Sequence, residues 1–169
     1  MTSPRPWSSA IALLLLLFVL AAFVWLTSAA LPEVVASHFG SSGAANGFMP
    51  RDTYITVFLA FIVGMPLFLV FLPDAIVRYG DKNLNIPDRE YWLAPERREP
   101  TTAFVRMYCR SLAAAVAIFM GYVHWLVVRA NALQPAELST MGIAAGLAVF
   151  FLFLATWLFL FFARFRRHV

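Results

Sequence analysis

The chain contains few of the residues from which catalytic and metal sites are usually built. Cys109 is its only cysteine, so an internal disulfide is excluded. Charged residues make up 13% of the sequence, and none lies near the middle of a long apolar segment, where pumps and ion-coupled transporters usually keep one. The patterns HExxH, CxxC and Ser-His-Asp are missing as well. We therefore expect no enzymatic activity, no catalytic residues and no cofactor.

Four long apolar segments are the main feature that is present. A helix rises about 1.5 Å per residue and the hydrocarbon core of a bilayer is about 30 Å thick, so about twenty apolar residues span it. The first segment is longer than the apolar part of a secretory signal and is interpreted as a retained anchor. The sequence thus predicts an all-α membrane protein, with residues 1–169 forming one integral domain. Its four transmembrane helices are predicted at residues 9–30, 53–72, 107–129 and 140–163.

The basic residues predict how the chain crosses the membrane. Lysine and arginine close to a span stay on the cytoplasmic side. All of them except Arg51 and Arg129 lie near the two termini or around the loop between the second and third spans. Both termini and the loop 78–105 are therefore predicted to be cytoplasmic, and the loop 31–52 to face outward. The net charge of +4 is attributed to contact with anionic lipid, and no nucleic acid partner is expected.

Small residues recur at helical spacing in the third and fourth spans. Membrane helices associate where small side chains let their backbones approach closely. Ala113, Ala117 and Gly121 are four residues apart on the third span, and Gly142 and Gly146 form a GxxxG pattern on the fourth. The simplest interpretation is an antiparallel hairpin of these two spans that pack through these residues. Homodimerisation through the same residues is the competing interpretation.

The outward loop 31–52 has the residues of a compact folded segment. Gly40, Gly43 and the pair Asn46-Gly47 can supply the positive φ angles of tight turns. An Asn-Gly pair is the preferred centre of a type I′ turn. The loop is therefore predicted to form a small hairpin-like cap on the outer membrane surface.

This loop also resembles a known group of proteins. Its pattern is similar to the short domain of unknown function that opens the SdpI-like immunity proteins, which protect cells that make the sporulation-delaying toxin. The resemblance covers about residues 10–75 and implies two spans joined by an outward loop, in the cytoplasmic (inner) membrane of a bacterium. His38, Phe39, Gly43 and Gly47 become candidates for binding a ligand or for structuring the loop. The matching residues are Leu31, Pro32, His38, Phe39, Gly43 and Gly47.

Two histidines are predicted to lie on the same side of the membrane. His38 is in the outward loop, and His124 is near the outer end of the third span. Two histidines with a carboxylate such as Glu33 or Asp52 are a ligand set for zinc or copper. The alternative is that His38 hydrogen-bonds the loop backbone and holds its turn. No spacing in the sequence decides between a metal site and this structural role.

The cytoplasmic loop contains a segment that is too apolar for an inert linker. Tyr91 and Trp92 are followed by Arg97 and Arg98, and acidic and basic residues alternate around the aromatic pair. One interpretation places the aromatic residues among lipid headgroups or in a groove between spans. The other is a docking site for a protein partner, since arginine, tryptophan and tyrosine anchor protein interfaces. The arginine pair is also a candidate for holding a phosphate.

These observations together predict an accessory, regulatory or toxin-immunity-type protein that acts through contacts with the lipid bilayer and with a protein partner or further copies of itself. A small transporter or channel component is an alternative, with the polar span residues Thr56, Ser111, His124 and Thr156 as its pathway. A sensor of a metal or ligand at the outer face, using His38, is another.

Overall fold

The computed structural model describes residues 6–79 and 86–166 and is mostly helical. A two-stranded sheet lies between the first two long helices, and a short helix precedes the third. In chain order the elements are α1 (Pro6–Thr27), β1 (Val34–Phe39), β2 (Ala45–Pro50), α2 (Arg51–Tyr79), α3 (Arg89–Trp92), α4 (Pro95–Asn131) and α5 (Thr140–Phe165).

Within the described residues, four helices are long and apolar enough to cross a membrane: α1, α2, α4 and α5. The prediction of four membrane helices is confirmed, and the chain is a multi-pass membrane protein. The helix of the third predicted span is α4, and it begins at Pro95 instead of the predicted residue 107. Proline suits the first helical position, where its missing N–H has no helical partner to lose. Residues 80–85 of the predicted loop 78–105 lie outside the described residues, as do both ends of the chain.

The four long helices pack unequally. The body of the bundle consists of α1, α2 and α4, each of which contacts the other two, whereas α5 packs mainly against α4. Leu13 and Leu17 of α1 are buried against Ala113 and Ala117 of α4 in the middle of this body. The central apolar stretch of α5 is exposed or half-buried throughout. Most of the surface of α5 is therefore open to whatever surrounds the protein in the membrane.

The small residues of α4 contact a different helix from the predicted one. Ala113 and Ala117 pack against α1, and a Cβ at Gly121 would lie 2.9 Å from Leu20 Cδ2, also on α1. The predicted contact of this stripe with the fourth span is therefore wrong. Close approach at small residues does occur, but it brings α4 against the first span.

The two glycines of α5 do pack against α4, although they meet large side chains there. A Cβ at Gly142 would lie 3.0 Å from Leu126 Cδ2, and one at Gly146 would clash with the ring of Tyr122. The hydroxyl of Tyr122 also donates to the carbonyl of Gly142 at 2.8 Å. Glycine on α5 thus makes room for leucine and tyrosine on α4.

The two ends of the bundle differ, and we name each by its contents. At the hairpin end, β1 and β2 cover the helices over a buried cluster of Leu31, Val35, Tyr54 and Val127. At the Trp92 end, α3 and the start of α4 pack on the last turn of α5. The buried residues of that second cluster are Ile86, Val105 and Phe165.

Candidate functional site

The loop between α1 and α2 folds into a β-hairpin. β1 and β2 pair antiparallel, with irregular register on both sides of His38. The turn is at Gly43, whose φ of 89° is a conformation that favours glycine. The predicted turn at Asn46-Gly47 is wrong, because both residues lie inside β2. Gly47 serves instead to make room, since a Cβ on it would lie 2.9 Å from the Cβ of His38.

Hydrogen bonds at β1 and at the turn attach this hairpin to the rest of the chain. Asn131, the last residue of α4, accepts from the Ala36 N–H at 2.8 Å and donates to the Ala36 carbonyl at 3.0 Å. Its side chain thereby pairs with β1 as a neighbouring strand would. On the other side, the Leu138 N–H donates to the Gly43 carbonyl at 2.8 Å. The hairpin is thus held by the end of α4 and by the segment that leads into α5.

His38 lies on the exposed face of β1, and its Nδ1 is 3.1 Å from the Ser37 hydroxyl oxygen. Phe39, the next residue, packs against the buried cluster of the hairpin end. Among the described residues, no group of three or more His, Cys, Asp or Glu side chains could hold a metal ion. Within those residues, His38 and His124 are therefore not members of such a group.

His124 is instead the polar centre of the bundle, and it is fully buried. Its Nε2 lies 2.8 Å from Thr27 Oγ1 at the end of α1, and its Nδ1 lies 2.9 Å from the Tyr54 hydroxyl on α2. The rings of Phe23 and Phe58 enclose the imidazole, with ring centres 5.7 and 5.2 Å away. One side chain of α4 thus joins the other two helices of the body.

The hydrogen bonds indicate which imidazole nitrogen carries the proton. The Thr27 hydroxyl is 2.6 Å from the Phe23 carbonyl and has a single proton to donate there. It must therefore accept from the Nε2–H of His124. The remaining nitrogen, Nδ1, accepts from the Tyr54 hydroxyl. With a neutral imidazole in this tautomer, every polar group from the Tyr54 hydroxyl to the Phe23 carbonyl has a hydrogen-bond partner, as buried polar groups require.

Sequence reasoning does not identify Thr27 or Tyr54 as site residues. A tyrosine near the start of a span is typical of an interface anchor, yet Tyr54 is only 5% exposed. The sequence feature that points to such partners is His124 itself, because a polar side chain within a span needs a hydrogen-bond partner. A search for hydroxyl groups at the same membrane level on the other spans would have found both residues.

The remaining hydroxyl groups that were candidates for a transport pathway donate to their own helices. The hydroxyls of Thr56, Ser111 and Thr156 donate to carbonyls three or four residues earlier, at 2.7 to 2.9 Å. These residues were candidates for lining a transport pathway. Their hydroxyl protons are used locally, which is the usual way in which a membrane helix accommodates serine and threonine.

An open groove of about 650 Å³ lies between α4 and α5. Its walls are almost wholly apolar and include the small residues Ala114, Ala115, Ala145 and Gly146. The two lining hydroxyls, those of Ser111 and Tyr122, already donate to backbone carbonyls. The groove is therefore a concave apolar surface at membrane depth, open to the side of the bundle.

The aromatic segment predicted as a partner contact lies against the end of α5. The indole Nε1 of Trp92 donates to the Phe165 carbonyl at 3.1 Å, and the Arg97 guanidinium stacks on the Tyr91 ring. Tyr91, Trp92 and Arg97 are half-buried, and Arg98 is exposed on the first turn of α4. The segment thus packs against the end of α5 and the start of α4.

Residues 12–68 match the model of a family described as a domain of unknown function, DUF1648. The matched segment contains most of α1, the hairpin and the first part of α2. No curated protein and no solved structure matches the chain. Thr27 and Tyr54 lie inside the matched segment and His124 lies outside it. The buried histidine therefore joins the segment that is similar to this family to the rest of the chain.

Proposed function

We propose that the protein is an accessory or regulatory component of a bacterial cytoplasmic (inner) membrane, which acts by binding a membrane helix of another protein. The resemblance of the loop to SdpI-like immunity proteins makes toxin immunity the specific role to examine first. Turnover of a substrate is not part of the proposal. The observation that carries it is the open apolar groove between α4 and α5.

The lining of the groove suits a helix as its occupant. Alanines on both walls allow a helix backbone to approach closely, which is how membrane helices associate without a hydrophobic driving force. Exposed apolar side chains continue along α5 from Val149, which lines the groove, to Leu152, and each of these two is 70% exposed. A single apolar helix lying in the groove would cover both surfaces together.

The volume of the groove also favours a second candidate function. About 650 Å³ falls within the range of roughly 300 to 1,000 Å³ that is typical of small-molecule pockets. An apolar small molecule is therefore the alternative occupant, and the protein would then be a ligand-binding sensor within the membrane. Identification of what co-purifies with the chain distinguishes the two.

Replacing Ala145 with leucine is expected to remove the bound partner by filling the groove. Ala145 is exposed and lines the groove, so the larger side chain enters the groove without displacing any buried residue. We expect roughly tenfold less partner, since lost close packing in the groove should cost on the order of 1.4 kcal/mol. The measurement is extraction of the tagged chain in mild detergent, followed by quantitative mass spectrometry of the proteins that remain bound.

The matched control is Ala148→Leu, because Ala148 is also exposed on α5 but does not line the groove. This variant should retain the partner at the level of the unmodified chain. Equal loss in both variants, or no loss in Ala145→Leu, would contradict the groove as the binding site. If the unmodified chain holds an apolar small molecule that Ala145→Leu loses, the second candidate function is favoured.

The proposed orientation has the hairpin outside and the Trp92 end in the cytoplasm, because basic residues are concentrated at the latter. It is tested by placing single cysteines in a Cys109→Ala background. We expect Ser41→Cys, at the hairpin turn, to react with a membrane-impermeant maleimide in intact cells. Glu99→Cys, at the start of α4, should react only after the cells are opened. The reverse pattern would overturn the orientation and leave the groove proposal standing.

A further inference from the structure

Two arginines are held over two adjacent aromatic rings at the Trp92 end. The guanidinium carbon of Arg97 lies 3.9 Å from the ring centre of Tyr91, and that of Arg164 lies 4.4 Å from the ring centre of Trp92. The two rings contact each other edge to face, with centres 5.1 Å apart. Because Arg97 belongs to α4 and Arg164 to α5, the fold places two cations that are far apart in the sequence over two adjacent rings.

Hydrogen bonds to backbone carbonyls fix this cluster. Arg97 Nε donates to the Tyr91 carbonyl at 2.9 Å, and the Thr101 hydroxyl donates to the Trp92 carbonyl at 2.9 Å. Trp92 itself donates to the carbonyl of Phe165, which is 1% exposed. Arg97 and the two rings on which the guanidiniums lie are thereby held in place, which lowers the conformational entropy that a ligand must remove when it binds.

Both arginines keep donors for a ligand. Among the described residues, the Arg164 guanidinium contacts only the rings of Trp92 and Phe104, and the side chain is exposed. Stacking occupies the face of a guanidinium and leaves the N–H groups at its edge available. Arg97 uses Nε and keeps its two terminal nitrogens. The planar fork of a guanidinium matches the oxygens of a phosphate, with two parallel hydrogen bonds.

The position of the cluster indicates where such a phosphate comes from. α4 has 37 residues and is therefore ~55 Å long, while the hydrocarbon core is only ~30 Å thick. Its first turns therefore extend beyond the hydrocarbon, beside the end of α5. Tryptophan and tyrosine mark the headgroup level in membrane proteins. Residues 86–110 and 163–166 contain seven arginines and four acidic residues, so this end favours an anionic headgroup.

We propose that Tyr91, Trp92, Arg97 and Arg164 form a binding site for the phosphate of an anionic phospholipid. The two guanidiniums donate to the phosphate, and the acyl chains lie beside Phe159 and Phe162, which are exposed near the end of α5. The site is independent of the groove between α4 and α5. The bound lipid adds a contact between the end of α5 and the aromatic segment to those that Trp92 already makes.

The test is lipid binding by the full chain in detergent, with phosphatidylglycerol as the probe and phosphatidylcholine as the comparison lipid. Native mass spectrometry counts the retained lipid, and the shift of the unfolding midpoint gives an apparent affinity. We expect phosphatidylglycerol to be retained and to raise the midpoint, with a clearly smaller effect from phosphatidylcholine and none from inorganic phosphate. The double variant Arg97→Gln/Arg164→Gln should bind phosphatidylglycerol roughly tenfold more weakly.

Two further variants separate a built site from general attraction of charge. Arg129→Gln removes an arginine that also stacks on a tryptophan, Trp125, but at the hairpin end, and it should bind as the unmodified chain does. Arg97→Lys/Arg164→Lys keeps the charge without the forked donors and should bind severalfold more weakly. Unchanged affinity in the lysine variant, or equal loss in Arg129→Gln, would overturn the site. So would loss of a co-purified protein, instead of lipid, from the glutamine variant.

Discussion

Replacing His124 with alanine is expected to lower the free energy of unfolding by roughly 3 to 5 kcal/mol. The imidazole is fully buried between α1 and α2, so its removal leaves a cavity among the rings of Phe23 and Phe58. It also leaves the Tyr54 hydroxyl, which donates to Nδ1, without an acceptor. The measurement is equilibrium unfolding of the purified chain in mixed micelles, followed by the loss of helical circular dichroism.

His38 provides the matched control, because it is a histidine of the same chain that lies exposed on β1. His38→Ala should change the free energy of unfolding by no more than about 0.5 kcal/mol, as is usual for surface substitutions. A double-mutant cycle of His124→Ala with Tyr54→Phe isolates their hydrogen bond, and hydrogen bonds in membrane proteins average about 0.6 kcal/mol in such cycles. Similar effects of His124→Ala and His38→Ala would show that the buried network does not stabilise the bundle.

Replacing Gly43 with alanine is the second change from which we expect a large effect. Gly43 has a φ of 89°, where a residue with a Cβ is strained, and the added Cβ would clash with the Leu138 carbonyl oxygen. That carbonyl belongs to backbone that cannot move aside as a flexible side chain would. The hydrogen bond from Leu138 N–H to the Gly43 carbonyl should be lost too. We expect the free energy of unfolding to fall by roughly 2 to 4 kcal/mol. We also expect the hairpin to be released from the segment before α5.

Two measurements test this expectation. Protease digestion reports release of the hairpin, and equilibrium unfolding of the same variant gives its free energy of unfolding. The control is Gly40→Ala in the same turn, where the added Cβ would make ordinary contacts of 3.6 and 3.7 Å. Gly40→Ala should keep the resistance of the unmodified chain to protease, and Gly43→Ala should be cut at the hairpin while the helices remain intact. If Gly43→Ala is as resistant as Gly40→Ala, the contact with Leu138 does not hold the hairpin.

The sequence by itself determined the four membrane helices and the folded loop between the first two. Both are local properties: a run of about twenty apolar residues is recognisable without its neighbours, and so is a short segment with glycines at its turn. The turn was placed wrongly within that segment. Whether Gly47 lies in a turn or opposite His38 depends on the register in which β1 and β2 pair. A shift of one residue in that register would give Gly47 a different neighbour.

Only the tertiary structure decided which faces of the helices meet. A membrane helix is apolar on all sides, so its hydropathy does not indicate the buried face as it would in a soluble protein. The stripe of Ala113, Ala117 and Gly121 was therefore recognised as a packing surface, while its partner, α1, was not. Likewise His124 is 97 residues from Thr27 and 70 from Tyr54, and no local pattern connects them. Their contact exists because folding places all three helices around one buried imidazole.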